Sequence, residues 1–144
     1  MELTLILILL AALLLAGAIW GGNVPKHYSS RICTGKDWRR AYPESPKQEI
    51  RRFLLLFVEA FAFKDAHKLR FQPDDRILDI YTATVGKWGV DSLELETLAD
   101  SVQKEYGLNL SLVWRENLTL GELFSLVANA QQGTQIPTPQ SGAV

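Results

Sequence analysis

Residues 89–107 read GVDSLELETLADSVQKEYG, the pattern of one complete amphipathic helix with a signal at each end. Asp91 is predicted to cap the start of this helix, and Glu94 to complete a capping box with it. Gly107 is predicted to end the helix. At 100° per residue, one stripe of side chains faces a core: Leu95, Leu98, Ala99, Val102 and Tyr106. Leu93 falls nearly opposite this stripe, so we expect its side chain to face solvent.

A second long helix is predicted upstream. Residues 45–48 read SPKQ, which places Ser as N-cap, Pro at the first helical position and Gln as the partner in a capping box. This helix should end near His67. Its predicted buried face repeats at helical spacing: Ile50, Phe53, Leu54, Phe57, Val58 and Phe61. Residues 71–90 contain a proline and two glycines, and they predict a long, partly buried loop.

A last helix is predicted downstream. Residues 110–114 favour a short turn or helix, after which Thr119 and Glu122 form another capping box. The buried side of the last helix is predicted to carry Leu120, Leu123, Phe124 and Val127. Residues 131–144 are rich in Gln, Gly, Pro, Thr and Ser, and should be disordered. We therefore predict an all-α domain over residues 45–130.

An apolar segment precedes this domain. From Leu3 to Trp20 the chain has 18 uncharged residues, which as a helix would rise about 27 Å and nearly span a bilayer core. A cleaved secretory signal is the alternative, because residues 16–18 read AGA, as at a cleavage site. No Lys or Arg precedes the segment, whereas residues 26–40 carry five.

The positive-inside rule then places the domain in the cytoplasm of a single-pass membrane protein. We predict one transmembrane helix at residues 3–20 and a basic juxtamembrane linker at residues 21–44.

Composition excludes several function classes. Residues 1–70 carry 11 Lys or Arg and 6 acids, whereas residues 71–144 carry 4 and 10. The acidic half has no basic stripe interleaved with aromatics, so no nucleic-acid partner is expected. The lone Cys33 excludes an internal disulfide, and with only His27 and His67 besides it, we expect no metal site. No nucleophile and base stand together, so we do not expect a conventional enzyme.

Residues 89–93 resemble the Gly-x-Asp-Ser-Leu motif of the acyl carrier proteins and the related peptidyl carrier domains. Residues 71–75, FQPDD, are similar to the family's loop after its first helix, and residues 105–108, EYGL, to the end of its second. Residues 118–123, LTLGEL, resemble the opening of its last helix. The resemblance covers about residues 47–128. It implies an acyl-carrier-protein-like four-helix bundle, here preceded by one transmembrane helix.

The resemblance also implies a function. Ser92 would carry 4′-phosphopantetheine, with Asp91 beside it in the attachment site, and the thiol of the arm would hold an acyl or aminoacyl group. A phosphopantetheinyl transferase would attach the arm, and acyl-transferring or acyl-activating enzymes would use it. The family's partner-recognition positions correspond here to Leu93, Glu94, Glu96 and Asp100. A phosphodiester at a helix N-terminus would also meet unpaired amides and the positive end of the helix dipole.

Two other classes stay open at this point. The chain can be a carrier-like, membrane-anchored adaptor that is never modified and binds partner proteins through the same acidic helix. It can also be a secreted helical protein whose signal is cleaved, in which case the mature protein would begin near Ile19.

Overall fold

The computed structural model of the protein describes residues 4–9, 11–12, 24–86 and 92–134. These residues are mostly helical and contain no β-strand, so the predicted all-α class is confirmed. Residues 4–9 and 11–12 are helical. Among the described residues, no helix has both the length and the apolar character needed to cross a membrane. The predicted transmembrane helix lies largely outside them.

From residue 24 onward, seven α-helices and one 3-10 helix make up the described domain. In chain order they are α1 Lys26–Ser29, α2 Gly35–Ala41, α3 Lys47–Ala60, the 3-10 helix Asp65–Arg70, α4 Ile77–Val85, α5 Leu93–Tyr106, α6 Leu110–Val113 and α7 Leu120–Thr134. α3 packs against the 3-10 helix and α5, while α5 also packs against α6 and α7. The longest helices, α3, α5 and α7, therefore surround a common core.

The predicted buried faces of the three long helices are confirmed. Every position predicted on the buried sides of α3 and α7 is buried. On α5, Leu98 and Val102 are buried, and the remaining members of the stripe pack partly buried against the same core. Gly107 ends α5 in the left-handed conformation at φ 70°, as its placement predicts.

Both ends of α3 differ from the prediction. Pro46 rather than Ser45 occupies the N-cap position, and no side chain caps the helix. The helix ends at Ala60, well before His67. The chain turns at Ala62, which has a positive φ of 54°, and the Phe63 N–H donates to the Val58 carbonyl at 2.8 Å. Because this turn uses an alanine instead of a glycine, no residue type announced it.

The predicted loop at residues 71–90 contains a helix, so that prediction is wrong over α4. Ile77 and Ile80 are fully buried on the inner side of α4, and Gly86 closes the helix at φ 72° with its N–H on the Thr82 carbonyl. With only nine residues, α4 is too short to show a clear helical period. Residues 87–91 lie outside the described part of the chain.

The predicted juxtamembrane linker is, from residue 24 onward, part of the folded domain. Val24 before α1, Tyr28 in α1 and Trp38 in α2 all lie in the core. Arg31 makes two bonds to Asp75, from Nη1 to Oδ2 at 2.6 Å and from Nη2 to Oδ1 at 3.0 Å. Such a paired, bidentate contact fixes this segment to the loop before α4.

The start of α7 has the predicted capping box. The Thr119 N–H donates to Glu122 Oε2 at 3.0 Å, and the Glu122 N–H donates to Thr119 Oγ1 at 3.1 Å. The hydrogen bond from the Thr119 backbone, followed by the hydrogen bond and the charge of Arg115, lowers the pKa of the Glu122 carboxyl. α7 continues to Thr134, four residues into the predicted disordered tail, and residues 135–144 lie outside the described residues.

Gly121→Ala is expected to destabilise the domain by about 1–3 kcal/mol, because the added methyl has no room. A Cβ at this position would lie 2.7 Å from Tyr42 Oη and 3.0 Å from the Pro73 carbonyl oxygen. The Gly121 N–H also donates to that carbonyl at 2.8 Å, so the backbone cannot move away without losing the bond. Urea denaturation followed by circular dichroism measures the difference in the free energy of unfolding.

Gly133→Ala is the matched control for this substitution. Gly133 lies in the same helix, and nothing lies within 4 Å of where its Cβ would be. Alanine there should leave stability unchanged or raise it slightly. Equal stability of the Gly121→Ala and Gly133→Ala proteins would show that the Pro73 loop yields freely, contrary to the packing described above.

Candidate functional site

Ser92 lies at the N-cap position of α5, one residue later than the capping prediction, and its side chain is exposed. Its carbonyl accepts the first helical bond from the Glu96 N–H at 2.9 Å. Its hydroxyl does not cap the helix but donates to Glu96 Oε1. An N-cap serine ordinarily accepts from a backbone amide, so here the hydroxyl is not committed to the helix start.

The hydrogen bond between Ser92 and Glu96 bears on what modification of the serine requires. Esterifying Oγ removes the proton that Ser92 donates and adds an anion near the Glu96 carboxylate. Because Glu96 is exposed, its side chain can turn into water, and the positive end of the helix dipole offsets part of the repulsion. The site can therefore take a phosphodiester without disturbing the core.

The side chains predicted to contact partners lie on and around this helix start. Leu93 is 58% exposed, which confirms that it faces solvent. Glu96 and Asp100 are exposed, and Glu94 is partly buried. We call Leu93, Glu94, Glu96 and Asp100 the acidic face. It combines an exposed apolar side chain with three carboxylates, a composition suited to a partner with a basic surface and an apolar contact.

The sequence places Glu94 in a capping box with Asp91. Within the described residues, Glu94 Oε2 is buried and accepts no hydrogen bond. Asp91 lies outside these residues, so the structure does not describe its predicted place in the attachment site. Glu94 thus differs from Glu96 and Asp100, whose carboxylates are open to solvent.

A shallow groove runs between α5 and α6, beginning one turn beyond Ser92. Its volume is about 240 Å³. The residues that line it are Leu95, Glu96, Ala99, Leu110, Ser111 and Trp114. The surface is mainly apolar, and the strongly exposed Leu112 lies on the same short helix. This groove therefore provides an apolar surface close to Ser92, the residue predicted to be modified.

Sequence reasoning did not assign Leu110 and Trp114 to the site. From the sequence, residues 110–114 predict only a short turn or helix, and Trp114 is most simply a packing residue. Leu110 and Trp114 lie at the site only because the tertiary fold packs α6 against α5, next to Leu95 and Ala99. Among the described residues, no group of His, Cys, Asp or Glu side chains is arranged to hold a metal ion.

Comparisons of this chain with protein-family models, with curated proteins and with solved structures gave no match. The function therefore has to follow from the residues and the geometry of the site.

Proposed function

We propose that this protein is a membrane-tethered carrier protein of the acyl carrier type. Ser92 bears a 4′-phosphopantetheine arm, whose thiol holds acyl or aminoacyl groups as thioesters. α3, α4, α5 and α7 serve as the four helices of the carrier bundle, and the apolar segment at residues 3–20 holds the domain on the cytoplasmic side of a membrane. The chain itself catalyses no reaction. The chemistry belongs to the arm and to the partner enzymes.

The observation that carries this proposal is the state of the Ser92 hydroxyl. It is exposed at the first turn of a 14-residue helix, within the carrier-like motif, and it does not cap that helix. A transferase needs an accessible hydroxyl of this kind, and no catalytic base has to stand beside it because the transferase supplies one. The α5–α6 groove supports the same function, because its apolar lining can contact part of the arm or part of an apolar cargo.

Intact mass tests the proposal directly. The full chain is produced together with a broad-specificity phosphopantetheinyl transferase and coenzyme A. A mass increase of one phosphopantetheine is expected in the wild-type chain and none in Ser92→Ala. Ser111→Ala is the matched control, because Ser111 is an exposed serine that lines the neighbouring groove. Its product should gain the arm as the wild type does.

Failure of this test would favour the adaptor. If folded wild-type protein gains no mass with several transferases, Ser92 is not an attachment site. The Ser92–Glu96 hydrogen bond would then describe the working state of the helix. The acidic face would remain as a surface for partner proteins.

Leu93→Ala is expected to lower kcat/KM for transfer of the arm about tenfold, the effect of removing one apolar anchor from an interface. Folding should be unaffected, since the Leu93 side chain is largely exposed. Transfer is measured by the time course of mass gain at a limiting transferase concentration. Ile32→Ala is the control, because Ile32 is 88% exposed and lies in the loop between α1 and α2. A wild-type rate for Leu93→Ala would exclude Leu93 from the transferase contact.

A further inference from the structure

A second groove lies between α2, the first turn of α3 and the end of the 3-10 helix, and it has an apolar floor and a basic rim. Its volume is about 240 Å³. Trp38, Ile50 and Leu69 contribute to the floor, together with the exposed Cys33. The charged side chains around it are all cations, Lys36, Arg39, Lys47 and Arg51. We call this feature the basic groove.

The four cations of the basic groove have no ion-pair partners within the described part of the chain. The salt bridges found there use other arginines, and one of them, Arg40 with Asp37 at 4.0 Å, lies on α2 itself. Lys36 and Arg39 are three residues apart on α2, and Lys47 and Arg51 are four apart on α3, so each pair shares one helix face. Four like charges converging on one groove favour an anionic occupant.

The apolar segment at residues 3–20 indicates which anion would be close to the basic groove. Trp20 ends the apolar stretch and Val24 is buried in the domain, so the four intervening steps reach at most about 14 Å. α1 follows Val24 directly and packs against the 3-10 helix, whose Leu69 lines the basic groove. The Thr34 N–H also donates to the Leu69 carbonyl at 2.9 Å. The segment thus joins the domain at α1, which packs on the same 3-10 helix that contributes Leu69 to the basic groove.

We propose that the basic groove docks on anionic phospholipid headgroups of the membrane that holds the N-terminal segment. This inference rests on the membrane tether of the proposed function, and it adds a second, electrostatic contact to that tether. The groove is smaller than the pockets of about 300–1,000 Å³ that enclose whole ligands. It therefore suits a headgroup at the bilayer surface, with the apolar floor against the glycerol region, and does not suit the uptake of a whole lipid.

Docking of this kind orients the domain. The anionic surface that attracts the basic groove repels Glu94, Glu96 and Asp100 of the acidic face. Arg52 near the start of α3 pairs with Glu105 near the end of α5. The start of α5, with Ser92, therefore lies away from the basic groove, and docking would leave Ser92 open to soluble partner enzymes.

Cys33 provides a native reporter, because it is the only cysteine of the chain, it is exposed, and it lines the basic groove. The full chain is reconstituted into vesicles of phosphatidylcholine alone or of phosphatidylcholine with phosphatidylglycerol. The rate of Cys33 alkylation by an uncharged, membrane-permeant maleimide is then measured. We expect alkylation to be roughly tenfold slower in the anionic vesicles, as for a docked state favoured about tenfold. High salt should reverse the effect.

Arg39→Gln and Arg40→Gln form a matched pair, since these neighbours on α2 carry the same charge and only Arg39 lines the basic groove. The ratio of the rates in neutral and anionic vesicles is compared within each variant. Arg39→Gln should lower this ratio to about three, because one cation near an anionic surface contributes about fivefold to binding. Arg40→Gln should retain the wild-type ratio. If both variants lose the effect equally, or if the wild-type rates do not differ between vesicles, docking through this groove is wrong.

Two further measurements distinguish lipid docking from the binding of a small anion and from failure of the membrane tether. If inorganic phosphate slows alkylation to the same extent in neutral vesicles, the groove is a small-anion site and membrane docking is overturned. Flotation of the same vesicles reports the tether, and the intact mass reports Ser92 modification. A chain that floats with both lipid mixtures and carries the arm, but shows equal Cys33 rates, contradicts the docking proposal alone.

Discussion

A chain that begins at residue 45, the predicted start of the domain, is expected not to fold. This truncation removes α1 and α2, and with them the buried Val24, Tyr28 and Trp38. Burial of a large apolar side chain stabilises a domain by about 1.5–3 kcal/mol. Losing three such side chains removes an amount comparable to the whole stability of a small domain, about 5–15 kcal/mol.

Polar groups left without partners add to this loss. The Phe71 carbonyl accepts from Thr34 Oγ1 at 2.7 Å and from Trp38 Nε1 at 2.8 Å, and the truncation removes both donors. The truncation also removes Arg31, which makes two bonds to the Asp75 carboxylate. A buried acceptor or a paired charge that loses its partner is destabilising by about 1–3 kcal/mol.

The matched control is a chain that begins at residue 24, which retains every contact described for α1 and α2. Far-UV circular dichroism and the dispersion of amide resonances compare the two. The longer chain should give dispersed resonances and a cooperative thermal transition, and the shorter chain neither. A cooperative transition in the chain that begins at residue 45 would show that residues 24–44 are a linker after all.

The long helices could be predicted because their information is local. α3, α5 and α7 each carry enough turns for the apolar period to stand out, and the Thr119–Glu122 capping box marks a start within four residues. The same local geometry placed Leu93 on the exposed side of α5. The buried and exposed faces of a long helix can therefore be predicted from its sequence alone.

The sequence does not show that residues 24–44 belong to the folded domain, because this segment is held in place by contacts with distant residues. It is basic and contains two prolines and a glycine, as linkers do, and its α1 and α2 have four and seven residues. Arg31 and Asp75 are 44 positions apart, and no pattern near either residue announces their pairing. A single tryptophan among charged residues, such as Trp38, was the one local sign of burial.

The candidate site likewise has features that depend on local sequence and features that depend on the tertiary fold. The place of Ser92 at a helix start and the exposure of Leu93 follow from residues 89–107 alone. The α5–α6 groove does not, because Leu95 and Trp114 come together only when α6 folds back on α5. The basic groove likewise joins α2, α3 and the 3-10 helix, three elements whose contacts are set by the tertiary fold.

Trp38→Ala is expected to lower the free energy of unfolding by about 3–5 kcal/mol, the range for removing a large aromatic side chain from a core. Trp38 is 1% exposed, and its ring lies 5.9 Å from those of Tyr42 and Phe124 and 6.2 Å from that of Phe53, measured between centroids. It thus joins α2 to α3 and α7 at one point. Urea denaturation followed by far-UV circular dichroism measures the change.

Two controls separate the contributions of Trp38. Trp38→Phe keeps one aromatic ring in the core and removes the rest of the indole with its N–H. The Phe71 carbonyl still accepts from Thr34, so the loss should be clearly smaller than in Trp38→Ala. Trp114→Ala removes a half-buried tryptophan from the rim of the α5–α6 groove, and it should be less destabilising than Trp38→Ala. If Trp38→Ala were as mild as Trp114→Ala, α2 would be a surface attachment. The groove floor formed by Trp38 would then have no rigid support from the core.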